Sequence, residues 1–208
     1  MVRSMSGRKA EAARNDGVIM AAAREVFTAD PEAPISAVAK RAGVGISALY
    51  RRYGSKEGLL QKLSADGLQT YIAVVEEALA DDGDPWEVFC DFMRRAVDAD
   101  TNSLTSRLAG TFTPTEELYR EAERARRLNE RLFERVREAG VVREDIVFDD
   151  VSLLLEQLAT VRIGDRERTF QLRHRYLALF LEAIHAPSES ELPGPPPTWE
   201  ETSGRWDV

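Results

Sequence analysis

The side chains with the clearest chemical potential fall between positions 45 and 56. Arg51 and Arg52 carry planar, permanently charged guanidinium groups that can pair with phosphates or fork onto a guanine edge. Tyr50 can donate its hydroxyl to a phosphate. Ser55 stands where it can cap a following helix; the first-turn amides of that helix, with Lys56 beside them, make a ready phosphate site. Gly45, Ser47 and Ala48 are small, so a helix backbone carrying them can approach a groove closely. These residue types describe contact with a nucleic acid, not the making and breaking of bonds.

Bond-making constellations are missing from the sequence. His174 and His185 are 11 residues apart, and Cys90 is distant from both, so neither zinc-ligand spacing nor an HExxH helix is present. His174 falls on a polar side with Arg173 and Arg175. No GxSxG, P-loop or GxGxxG occurs. Asp149-Asp150 reads as helix N-terminal charge, favourable to the helix dipole. The expectation is a protein that is not an enzyme and uses no cofactor or metal.

Which elements hold the 45–56 stretch? Ile35, Val38, Ala39 and Ala42 recur at helical spacing, with Ser36, Lys40 and Arg41 on the other face. Gly43 sits where a helix C-terminus wants a left-handed residue, and Val44 plugs the gap beyond it. Ile46, Leu49, Tyr50 and Tyr53 resume the period, with Ser47, Arg51 and Arg52 outward. Two short helices around a Gly-Val-Gly turn, then a Ser-capped third, form a helix-turn-helix over about 35–54, with the second helix offered to a major groove. A first helix over 14–29, burying Val18, Ile19, Ala22, Val26 and Phe27, braces it.

The run Leu49-Tyr50-Arg51-Arg52-Tyr53-Gly54-Ser55-Lys56-Glu57-Gly58-Leu59-Leu60 resembles the TetR family of transcriptional repressors. The resemblance covers residues 14–63. It implies an all-α chain: an N-terminal three-helix DNA-binding domain joined by a long helix to a C-terminal helical domain that binds ligand and dimerises. It also implies repression of a palindromic operator, relieved by a small-molecule inducer. Carried onto this chain, phosphate contacts fall to Ser36 or its neighbours, Tyr50 and Lys56, and base and backbone contacts to Gly45, Ile46, Ser47, Arg51 and Arg52. The chain departs from the family at Pro34, where a capping Thr or Ser is common, and at Ile46, where a polar residue is common. A competing reading is a helical dimer binding a small molecule or protein, whose head is structural only.

Charge supports the head-and-body division. Net charge is −8, yet residues 1–63 hold 11 Lys and Arg against 6 Asp and Glu, and the remainder 17 against 30. All four lysines lie in the head. The expected organisation is a flexible basic arm (1–13), the DNA-binding domain (14–63), the ligand-binding and dimerisation domain (64–186) and a Pro-rich acidic tail (187–208). One cysteine excludes an intrachain disulfide and points to a reducing cytoplasm, and no apolar run is long enough for a membrane span.

Beyond the head, a helix from Ser55 to about Ala80 crosses into the body. Asp84-Pro-Trp-Glu87 and Thr113-Pro-Thr-Glu116 have the form of capping boxes for helices over 85–99 and 114–139, with a further helix over 100–112 and Gly140 as a stop. Candidate ligand-pocket residues are Trp86, Phe89, Phe92, Met93, Leu108, Phe112, Tyr119 and Gln157. The last two helices, over 149–163 and 165–185, are apolar around most of their circumference, as partners across a two-fold axis would be. Leu154, Leu158, Val161, Tyr176, Leu177, Phe180 and Ile184 are the expected dimer contacts.

Overall fold

The computed structural model describes residues 3–100, 108, 110–187 and 190–203, with side chains from 16 to 202 within those ranges. The helices are α1 (Arg3–Ala29), α2 (Ile35–Ala42), α3 (Ile46–Tyr53), α4 (Lys56–Ala80), α5 (Pro85–Ala99), α6 (Glu116–Glu138), α7 (Phe148–Thr160), α8 (Arg166–Ile184) and α9 (Trp199–Ser203). Among the described residues the only β pairing is an isolated antiparallel bridge between Val142 and His185.

Two apolar cores share α4. Its first half sends Leu59, Leu60 and Leu63 into a head core with Phe27, Val38 and Leu49; its second half sends Tyr71, Ile72 and Val75 into a body core with Phe89, Met93 and Val136. At 1.5 Å per residue the 25-residue helix spans about 37 Å, enough to serve both. Ser55 starts it as expected, accepting from Gly58 N–H at 3.0 Å. In the body, the Tyr71 hydroxyl donates to buried Asn129 Oδ1 at 3.0 Å, joining α4 to α6. Burial holds the Tyr71 phenol far above its usual range, so it stays a donor.

Several boundaries differ from the sequence reading. Helix α1 begins at Arg3, not near 14, so the arm is helical. Ala10, Glu11, Ala12 and Ala13 are strong helix formers and extend the period backwards. Asp84 caps α5 as expected, accepting from Trp86 and Glu87 N–H, both at 3.0 Å. Helix α6 is instead capped by Thr115, which accepts from Leu118 N–H at 3.2 Å. Thr113 cannot start it because its backbone is engaged elsewhere: its N–H donates to Glu57 Oε1 and its carbonyl accepts from Gln61. The expected helix over 100–112 lies mostly outside the described residues.

The tail packs on the body. Trp199 lies 3.8 Å from the Arg126 guanidinium, the Thr202 hydroxyl donates to Asp149 Oδ1 at 3.0 Å, and Leu192 N–H donates to Asp145 Oδ2 at 2.8 Å. Arg143 braces that anchor, pairing with Asp145 and donating to Ser190 O at 2.7 Å. Arg173, read from sequence as polar surface, is buried. Its guanidinium ties α8 to the end of α7 through Ala159 O (2.9 Å) and Val161 O (3.2 Å), and to Asp100 Oδ1 (2.5 Å) after α5. The next residue does face solvent in part: His174 Nε2 lies 2.7 Å from Asp98 Oδ1.

Candidate nucleic-acid interface

The turn between α2 and α3 follows from its glycines. Gly43 has φ 68°, a left-handed conformation that a Cβ would strain, and it redirects the chain after α2. Gly45 then opens α3 with no side-chain cap. Pro34 holds the corresponding position before α2, also without a side-chain bond. Leu49 alone of α3 is fully buried, pinning the helix to the head core, while Val44 packs beside it.

The opposite face of α3 is open. Ile46 and Tyr50 are 40% and 48% exposed, and Gly45, Ser47 and Arg51 are exposed with them; Ser36 and Lys40 on α2 are exposed alongside. Arg51 has no ion-pair partner among the described residues, so its fork is free for phosphate or base.

Two further predicted contacts are held within the head. Lys56 Nζ donates to Pro31 O at 2.9 Å and stands 5.5 Å from the Phe27 ring centre. Arg52 Nε pairs with Asp16 at 2.7 Å, and the Tyr53 hydroxyl donates to the same carboxylate. Burial, then this bond, pushes the Tyr53 phenol well above its usual range. Arg41 is paired with Glu25 at 2.5 Å. The Asp16 contact was invisible to sequence reading because it joins residues 37 apart.

The predicted ligand-pocket residues do not converge. Phe89, Phe92 and Met93 are buried in the body core, with the Phe89 ring tilted against Trp86, Phe92 and Phe133. Leu108 is buried in the head core and Phe112 packs against it, because the chain before α6 crosses back to α4. Tyr119 and Gln157 face solvent. Of the set, Trp86 lines a cleft of about 270 Å³ between α5 and α8. His185 stacks on its ring at 4.3 Å, Cys90 forms the floor with Leu177, and Glu87, Arg94 and Glu182 edge it. Burial pushes the Cys90 thiol up to about 11. No group of three His, Cys, Asp or Glu among the described residues could hold a metal.

The predicted dimer contacts also divide. Leu158, Leu177 and Ile184 lie in the subunit's own core and Leu154, Val161 and Phe180 are half-buried, which leaves Tyr176 as the exposed member. Exposed beside it is Leu179, at 58%. Tyr176, Leu179 and Ala183 follow one another at offsets of three and four, an exposed stripe on the outer side of α8 that continues from the buried Leu172. Sequence reading named Tyr176 but not Leu179 because both sides of α8 are apolar, and only packing shows which side the body has already used.

Comparison with known proteins agrees with this architecture. The family model for bacterial regulatory proteins of the tetR family matches residues 19–63, and that for the C-terminal domain of SbtR-like transcriptional regulators matches residues 84–186. No curated protein matches the chain significantly. Among solved structures, a TetR transcription regulatory protein from Mycobacterium vanbaalenii is 25% identical, with TM-score 0.58, over 86% of this chain and 99% of that one. The ketosteroid transcriptional regulator KstR2 of Mycobacterium tuberculosis is 18% identical, with TM-score 0.62, over 90% and 98%. The TetR-like regulator LfrR from Mycobacterium smegmatis, in complex with proflavine, is 20% identical, with TM-score 0.58, over 81% and 96%. With a helix-turn-helix head that matches one family model and a helical body that matches another, the chain belongs to the TetR family of bacterial regulatory proteins and is a DNA-binding transcriptional regulator, not an enzyme.

Proposed function

We propose that the protein is a homodimeric repressor that occupies a palindromic operator in the cytoplasm and leaves it when a small molecule binds the helical body. The observation that carries this reading is the open face of α3, where Ser47, Tyr50 and Arg51 stand exposed on a head rich in Lys and Arg. Two such helices about 34–36 Å apart would meet successive major grooves on one side of the duplex. The exposed Tyr176–Leu179–Ala183 stripe supports the two-fold pairing that sets this spacing.

Release requires a mechanical link from body to head, and three contacts are suited to it. Leu108 is buried in the head core. Gln61 donates to Thr113 O at 2.9 Å while Thr113 N–H donates to Glu57 at 3.1 Å. Arg162 donates to Thr28 O, at the end of α1, at 3.3 Å. A ligand that displaces the body helices moves α1 and α4, and α3 with them. One similar structure is named a ketosteroid regulator and another holds proflavine, which supports a small organic effector here, with the α5–α8 cleft as its candidate seat.

Footprinting on DNA enriched by the full-length protein tests the reading, with Tyr50→Phe, Arg51→Ala and Lys56→Ala compared against the parent. Arg51→Ala is expected to weaken binding by about 1–3 kcal/mol. A compound that releases the parent from its site should show a coupling of about 1–3 kcal/mol. If all three substitutions leave affinity unchanged, the head is not the DNA reader and the proposal fails.

A further inference from the structure

An acid at a DNA-facing surface calls for a reason. Asp16 is one of six acidic residues in the first 63, and it lies beside the recognition helix. Its carboxylate accepts from two donors in the last turn of α3: Arg52 Nε at 2.7 Å and the Tyr53 hydroxyl. The Arg52 and Asp16 side chains remain 37% and 27% exposed, so both are within reach of an approaching duplex. Tyr53 is the inner member, with a phenol that burial keeps protonated.

The geometry divides the two arginines of α3 into different tasks. Successive helical residues turn by about 100°, so Arg52 leaves the outer face shared by Ser47, Tyr50 and Arg51 and points along the flank toward α1. Arg51 is free there, whereas Arg52 is held. A guanidinium has five N–H donors, and the contact through Nε leaves donors on its terminal nitrogens for a phosphate. An arginine held at Nε has one orientation to offer, and a phosphate must come to it.

We propose that Asp16 is a positioning residue that sets the DNA specificity of α3. It orients Arg52 so that a phosphate is captured only in the register that brings Ser47, Tyr50 and Arg51 to the operator bases. Asp16 itself touches no DNA; it acts through Arg52. The proposal rests on the DNA-binding reading above.

The test uses full-length protein, a duplex that the parent enriches from a random-sequence pool, and poly(dI-dC) as the non-specific duplex. Asp16→Asn keeps the shape and removes the charge. It is expected to raise affinity for poly(dI-dC) while failing to raise it for the selected duplex, so that the ratio of the two falls about tenfold. Arg52→Ala should reduce the slope of log K against log salt on the selected duplex by about 0.9, the loss of one phosphate contact. Asp16→Asn added to Arg52→Ala should change the ratio no further. Asp16→Glu keeps the charge and should restore most of it. Thermal unfolding of each variant shows whether the head is intact; if Asp16→Asn unfolds it, Asp16→Glu against Arg52→Lys carries the same comparison. Equal losses on both duplexes, additive effects of the two substitutions, or an unchanged salt slope in Arg52→Ala would make Asp16 a simple tether and overturn the proposal. If the parent enriches no duplex at all, the DNA-binding reading fails instead.

Discussion

Side chains of the same type do different work according to what lies beside them. Arg51 and Arg52 are adjacent, yet one is free and the other is held by a residue 36 positions away. The spacing of Ser47, Tyr50 and Arg51 was readable because it depends only on helical geometry; the partner of Arg52 was not, because it depends on how α1 crosses α3. The same holds for Cys90. Its thiol titrates near 11 in place of the usual 9.0, chiefly through burial. At pH 8 the native protein should therefore react with an aromatic disulfide reagent far more slowly than the protein in guanidinium, measured by thiolate release. Because the folded pKa is raised, the Cys90 contribution to stability is fully present below pH 9.0 and is lost as pH rises toward 11. Tyr71→Phe would leave Asn129 Oδ1 buried without its donor and should destabilise the body by about 1–3 kcal/mol in urea unfolding.

Helices are set by their ends as much as by their periods. The first turns of α4 and α5 were predicted correctly because Ser55 and Asp84 act within three residues of themselves. The start of α6 was misplaced by two residues because the competing demand on Thr113 comes from α4. A direct comparison follows. Thr115→Ala should cost about 1 kcal/mol by removing the cap, while Thr113→Ala, whose contacts are all backbone, should cost little; thermal unfolding of the two variants measures the difference. Gln61→Ala removes a body–head contact that is exposed and adds little to folding. It should change how strongly a releasing ligand weakens DNA binding without changing the melting temperature appreciably, as read by binding with and without ligand.

The chain presents an apolar stripe on α8 to solvent and covers another region with its own tail. Leu179→Asp places a charge in the centre of the α8 stripe. It should convert a dimer into a monomer in sedimentation velocity and weaken operator binding, with the head left folded. The tail is anchored at Asp145, whose carboxyl is held well below the usual carboxylate range, first by Arg143 and then by Leu192 N–H. Because that folded pKa is depressed, the anchor is present above pH 3.8 and is lost only as pH falls far below it. Arg143→Ala should free the tail and expose residues 190–203 to limited proteolysis, followed by mass spectrometry.

The sequence by itself determined the all-α class, the helix-turn-helix and its outward side chains, and the long helix joining head to body. Each of these rests on local periodicity, a nearby cap or a glycine with positive φ, interactions that span one or two helical turns. Only the tertiary structure decided which apolar faces the core consumes, that the aromatic cluster around Phe89 and Phe92 is buried in the body core, that Leu108 belongs to the head, and that Asp16 holds Arg52. Those outcomes depend on which helix crosses which, and a helix that is apolar all round carries no record of the side its neighbours will take.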